Sequence, residues 1–201
     1  MEKNANNLII RHFESANQKN EYLLIDKDEA ATIDVSHAYG EASQILTEMG
    51  IGLKYLLVTH AHKSRVQALK KLKDNFGGTF CLHDFEIDHL HESDSSLVPD
   101  RLLKDNDLLT LGDTSIQVLL TPGHTRGSVC FYARAAQALF SGSSLLKQGY
   151  GKIWGPQSMS LMLFSLKRLS YTIPAKTRIY TGSGELTTMG KEGWIQCLRS
   201  A

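Results

Sequence analysis

Leu53–Thr59, read Leu-Lys-Tyr-Leu-Leu-Val-Thr, is a nearly unbroken apolar run that leads straight into His60-Ala61-His62. A strand with so little polar relief is the kind that a fold buries on both faces, beneath helices or a second sheet. Helical patterns stand on either side of it. Ala38–Met49 comes before and is stopped by Gly50. Ser64–Asn75 follows, with Val66, Leu69 and Leu72 at helical spacing, and is stopped by Gly77-Gly78. The histidines lie where the strand gives way to a loop. At i and i+2 on extended backbone, two side chains point the same way and can face one ion.

The rest of the chain repeats a β-then-α order. Leu8–Phe13, Tyr22–Asp26 and Ala31–Val35 read as strands joined by polar breaks. Thr79–Leu82 is a short strand, and Asp84–Glu92 is polar and helical. Leu108–Leu111, Ser115–Thr121, Ser128–Tyr132, Ala138–Phe140 and Thr177–Tyr180 are further strand candidates. Ser158–Ser170 carries Leu161, Met162, Phe164, Leu166 and Leu169 as a helix, and Lys191–Leu198 is expected to form a last one. Pattern alone supports a layered mixture of α and β.

Size and charge narrow the function. The 201 residues suit one packed domain spanning 1–201. A net charge of +1, with no charged block, gives no broad attraction to nucleic acid or to an anionic membrane. The start is too polar for a signal peptide, and no apolar run approaches the roughly 18 residues that span a bilayer. Cys81, Cys130 and Cys197 are odd in number and far apart, which fits small core or near-core residues in a reducing, cytoplasmic setting.

Several motifs, in order, carry a likeness to a known family. They are Glu21-Tyr22-Leu23-Leu24-Ile25-Asp26, Thr32-Ile33-Asp34-Val35, His60-x-His62, Leu120–Ser128 with Thr-Pro-Gly-His-Thr-Arg-Gly at its centre, Leu139-Phe140-Ser141-Gly142-Ser143, and Ile179-Tyr180-Thr181-Gly182-Ser183-Gly184 followed by Thr187-Thr188. Together they resemble the metallo-β-lactamase superfamily, and within it the short glyoxalase II-like branch. The resemblance implies an α+β, four-layer αββα sandwich. It implies hydrolysis of an ester or thioester, and a metal on His60, His62 and His124. Three neutral imidazoles with one open position suit zinc, or iron as the alternative.

The same resemblance marks four departures. The family's second metal uses an Asp and a His in the first loop, a bridging Asp and a late His. Here those positions carry Ser64, Arg65, Ser143 and Ser183. A neutral hydroxyl is a poor zinc ligand, and a guanidinium offers no lone pair. A two-metal site is not expected. Arg65 has two readings, an anion-holding charge in the vacated place or a solvent-facing residue on a helix capped by Ser64.

Two functions therefore stay open. One is a one-metal hydrolase of impaired chemistry, the other a non-catalytic protein that keeps the fold and uses the old cleft for binding, of a small molecule for instance, or for assembly. Tyr150 and Trp154 lie where relatives place a substrate-lining loop, or they anchor that loop to the core. His83, His89 and His91 are expected at the surface, and His12 and His37 have no partner pattern. True glyoxalase II enzymes continue into a helical domain after the Thr-Thr pair, so the glutathione thioester is a weaker expectation here. The sequence leaves the substrate and the oligomeric state open.

Overall fold

A computed structural model of the chain describes residues 2–3, 7–62 and 66–199. Two mixed sheets lie at its centre. The first holds β1 (Glu2–Lys3), β2 (Ile9–Glu14), β3 (Asn20–Asp26), β4 (Glu29–Ile33), β5 (Leu53–Leu57), β6 (Thr79–His83) and β7 (Arg101–Leu103), side by side in sequence order. Its hairpin half, β1 to β4, is antiparallel, and β4 to β7 are parallel. The second holds β8 (Leu108–Leu111), β9 (Thr114–Leu120), β10 (Val129–Ala133), β11 (Ala138–Gly142), β12 (Arg178–Thr181) and β13 (Thr187–Thr188), again in sequence order. There β11 and β12 are the parallel pair.

Three apolar clusters account for the layering. Between the sheets, Tyr22, Leu24, Ile33 and Leu57 pack against Ile116, Val118, Phe131 and Phe140. The alternate residues of the first sheet, among them Leu23, Ile25, Leu56 and Phe80, face outward. They meet α1 (Tyr39–Met49), α2 (Val66–Phe76) and α3 (Ile87–Ser93) through Ala42, Leu46, Leu69, Leu72 and Leu90. The outer face of the second sheet, with Leu119, Cys130 and Ile179, meets α4 (Pro156–Thr172) through Met162, Leu166 and Leu169. With period-2 strands buried on both faces, only helix layers outside satisfy both sides. The result is the αββα sandwich.

The sequence expectations hold for most elements and fail at the short ones. β1, β7 and β13, of two or three residues each, are too brief to show a period. The segment expected as a last helix, Lys191–Leu198, is a 3-10 helix over Gly193–Arg199. Buried Glu192 explains its tightness. Its carbonyl accepts from Ile195 N while its carboxylate takes Trp194 Nε1, Thr187 Oγ1 and Gln148 N, pinning the chain before an α-helical turn can open. Ser64, the expected start of the second helix, lies outside the described residues. No helix among the described residues is long and apolar enough to cross a membrane.

Cys81 and Cys130 are buried as expected, but Cys197 is exposed on the 3-10 helix, because that helix presents Ile195 rather than Cys197 to the core. Burial pushes the Cys81 thiol up to about 12 and the Cys130 thiol up to about 11. Only a thiolate reacts with disulfide reagents. Native protein is therefore expected to release one equivalent of thionitrobenzoate from Ellman's reagent, and three after denaturation. Two or more fast equivalents from folded protein would contradict this burial.

Candidate functional site

One end of the sandwich gathers the loops that follow β4, β5, β9, β11 and β12. Asp34 leaves β4 in a left-handed conformation, with φ of 58°. Its carboxylate accepts from Thr59 N at 2.9 Å and from Thr59 Oγ1 at 2.6 Å. Thr59 O in turn accepts from Val129 N at 2.9 Å, which stitches the two sheets together beside His60. Gly142, also left-handed at φ 52°, lies so close that a Cβ there would sit 2.5 Å from Thr59 Oγ1. Only glycine meets both demands.

These contacts fix the tautomer of His60. The one hydroxyl proton of Thr59 goes to Asp34, so at 3.0 Å the Thr59 oxygen accepts from His60 Nδ1–H. The lone pair of His60 is then on Nε2. His124 is held in the same way. Gly123, at φ 149°, passes so near α4 that a Cβ would lie 2.7 Å from Met162 Cα, and Ser165 Oγ donates to Pro122 O at 2.7 Å. His124 Nδ1–H donates to Lys152 O at 3.0 Å, and Trp154 Nε1 donates to His124 O at 3.0 Å. Its lone pair, too, is on Nε2.

The His60 and His124 rings stand 4.8 Å apart and nearly perpendicular, and the His60 and His62 rings 6.4 Å apart. With metal–nitrogen bonds of about 2.0–2.1 Å, two imidazoles on one tetrahedral ion have ring centres roughly 5 Å apart. His60 and His124 already match that spacing, and exposed His62 has to swing inward by about an ångström. Among the described residues, no group of three His, Cys, Asp or Glu side chains is poised to hold an ion as it stands. The donor chemistry and the two imposed tautomers nonetheless fit an ion on these three rings, since histidine ligands characteristically give their other ring proton to a carbonyl or a similar partner.

Two cavities share the histidines. The inner one, about 300 Å³, is lined by His60, His62 and His124 together with Ser143, Ser183 and Tyr150. The outer one, about 610 Å³, has the same three histidines, with Trp154, Leu161, Arg126 and His89. Tyr150 and Trp154 thus face different chambers. Tyr150 also packs on the α4 cluster and makes an Oη–Met159 Sδ contact of 3.6 Å, so it both lines and anchors. Trp154 is 65% exposed, with Lys152 Nζ 3.9 Å above its ring. Ser64 and Arg65 lie outside the described residues.

The other histidines depart from expectation in one case. His89 and His91 are exposed, but His83 is buried, because it ends β6 and caps the following 3-10 turn (Asp84–Glu86) by accepting from Phe85 N. His12 bonds Asn20 Oδ1, and His37 contacts Glu21 at the edge of the inner cavity. Glu21 itself is buried. Burial opposes its charge, but bonds from the Ser36, His37 and Ala38 backbone and from Ser36 Oγ outweigh it and hold the carboxyl below its usual range.

Sequence reasoning missed Glu86. Fully buried, its carboxylate accepts from Ala61 N at 2.8 Å through Oε2 and from Gly127 N at 2.9 Å through Oε1. Ala61 lies between His60 and His62, and Gly127 ends the His124 turn. One side chain therefore ties both histidine loops. A trace was present in Gly127, where a Cβ would meet Glu86 Cγ at 2.7 Å.

Comparison with known proteins decides the family. The metallo-β-lactamase superfamily model matches residues 16–185. This chain belongs to that superfamily. It is 33% identical over 163 residues to a hydroxyacylglutathione hydrolase of Pelagibacter ubique (strain HTCC1062), covering 80% of this chain and 64% of that enzyme. The chain thus spans just under two thirds of that relative's length. Among solved structures it is similar to the BLEG-1 B3 metallo-β-lactamase, with a TM-score of 0.79 and 28% identity over 92% of this chain and 96% of that one. It is also similar to TTHA1623 in a di-iron-bound form, with a TM-score of 0.77 and 26% identity over the same shares. Members of the superfamily thus carry metal, and the chain is hydrolase-like in family and fold.

Proposed function

We propose that this chain is a hydrolase of thioesters or related carbonyl compounds that works with one metal ion, zinc or iron, on His60, His62 and His124. The reading rests chiefly on the pair of Nδ1 hydrogen bonds that leave lone pairs on His60 Nε2 and His124 Nε2 beside one cleft. An ion bound there supplies Lewis acidity toward a carbonyl and acidifies water near neutral pH. The protein's own part is orientation. Asp34, through Thr59, keeps the His60 ring from rotating, and the Lys152 carbonyl does the same for His124. Trp154 and Leu161 offer an apolar wall that would hold the substrate and keep bulk water out. Ser143 stands where the family has a bridging carboxylate, and a neutral hydroxyl neither shares an ion nor takes up a proton near pH 7. Turnover slower than that of two-metal relatives follows. The near-neutral charge and free cysteines fit a cytoplasmic protein of one domain with a small-molecule substrate and no nucleic-acid or membrane partner.

The second reading is a non-catalytic binding protein. It draws support from the replaced ligands. Metal analysis of protein expressed with added zinc or iron, joined to a thioester panel, separates the two. The first reading expects about one ion per chain and hydrolysis that a chelator removes. A fully loaded protein with no hydrolysis above background would defeat it, and a chain that takes up no ion would leave the binding reading.

A further inference from the structure

β11 and β12 run parallel, with Gly142 the last residue of β11 and Gly182 the first residue after β12. Gly182 N donates to Gly142 O at 2.7 Å, and a Cβ on Gly182 would lie 2.7 Å from the Gly142 carbonyl carbon. The two backbones touch, so the next residues, Ser143 and Ser183, leave the sheet side by side into the inner cavity. This is the carboxyl end of parallel strands, where open α/β sheets place their ligands. Among the described residues, neither serine hydroxyl has a protein hydrogen-bond partner. Lys19 pairs with Ser183 through an isolated bridge and lines the same cavity, from a turn held by Asn20 N to Gly182 O and Gly184 N to Gln18 O.

The cavity's carboxylates are already engaged. Glu21 takes donors from Ser36, His37 and Ala38, and Asp34 takes Thr59 N and Oγ1. What this corner has left to offer a ligand is two hydroxyls, with the cationic residue Lys19 on the cavity wall. That set does not fit the second cation which the family would place at the serine positions, because hydroxyls bind zinc poorly and an ammonium repels it. It fits a carboxylate or phosphate oxygen, which accepts from several donors and is drawn to positive charge.

We propose that Lys19, Ser143 and Ser183 form an anion subsite that takes a carboxylate or phosphate group of the ligand, in the corner where relatives hold a second metal. It rests on the hydrolase reading only in saying which end of a substrate sits here, the anionic end, with the scissile carbonyl toward the histidines. The test uses metal-stripped, ¹⁵N-labelled protein titrated separately with inorganic phosphate and with acetate. Saturable shifts are expected at the amides of Ser143 and 182–184, and the arm that saturates first names the group. Ser183→Asp puts a negative charge beside the site and is expected to weaken binding about tenfold or more, and Ser183→Ala to weaken it less. Shifts centred elsewhere, or Ser183→Asp binding as tightly as the parent, would overturn the subsite. Because no metal is present, this outcome is independent of hydrolysis. A thioesterase that binds no anion here would sink the subsite alone.

Discussion

Glu86→Ala is expected to lower the free energy of unfolding by about 3–5 kcal/mol, the scale seen when one member of a buried charged hydrogen-bond set is removed. The change strands Ala61 N and Gly127 N in the interior, each then a donor without an acceptor. Glu86→Gln is the sharper variant. Its amide keeps one oxygen for one loop but turns an N–H toward the other N–H, so one bond is lost and a like-polarity contact replaces it. A loss of about 1–3 kcal/mol is expected. Urea unfolding followed by fluorescence of Trp154 and Trp194 reads both. A Gln variant as stable as the parent would mean that the carboxylate does not bridge the two loops.

His124→Ala should have the largest effect on activity. It removes one of three imidazoles and also the ring whose Nδ1–H latches the loop at Lys152. Bound metal is expected to fall below about a tenth of an ion per chain, and thioester hydrolysis by about a thousandfold or more, well beyond the roughly 10–100-fold typical of losing a partner behind a ligand. Stability should change little, since the side chain is only partly buried. Elemental analysis and single-substrate kinetics check the two halves separately. Full metal retention in the variant would remove His124 from the proposed ligand set.

The three candidate ligands could be picked out along the chain because the family's motifs mark them, and their setting is local. His60 and His62 follow an apolar strand, and His124 follows a Pro-Gly turn. The long strands and helices are legible from local pattern, each having enough residues to display a period. The parts that escaped depend on distant partners. Glu86 sits in a polar stretch that reads as surface, and its burial makes sense only when donors 25 residues before it and 41 after it arrive at the same point. The Asp34–Thr59–His60 chain spans 25 residues before its last, adjacent step. Three-residue β7 exists because β6 offers it an edge, not because Arg101–Leu103 is insistent about strand.

The glycine pair at positions 142 and 182 has a bearing on how such a protein changes over time. A pocket base made of bare main chain has no room for a side chain, so any substitution of either glycine collides with its neighbours and the shape stays put. Change is easier at the neighbours one step further on, half-buried residues that line the cavity. Exchanging Ser143 and Ser183 for other side chains therefore changes what the corner can grip while the scaffold beneath is left as it was.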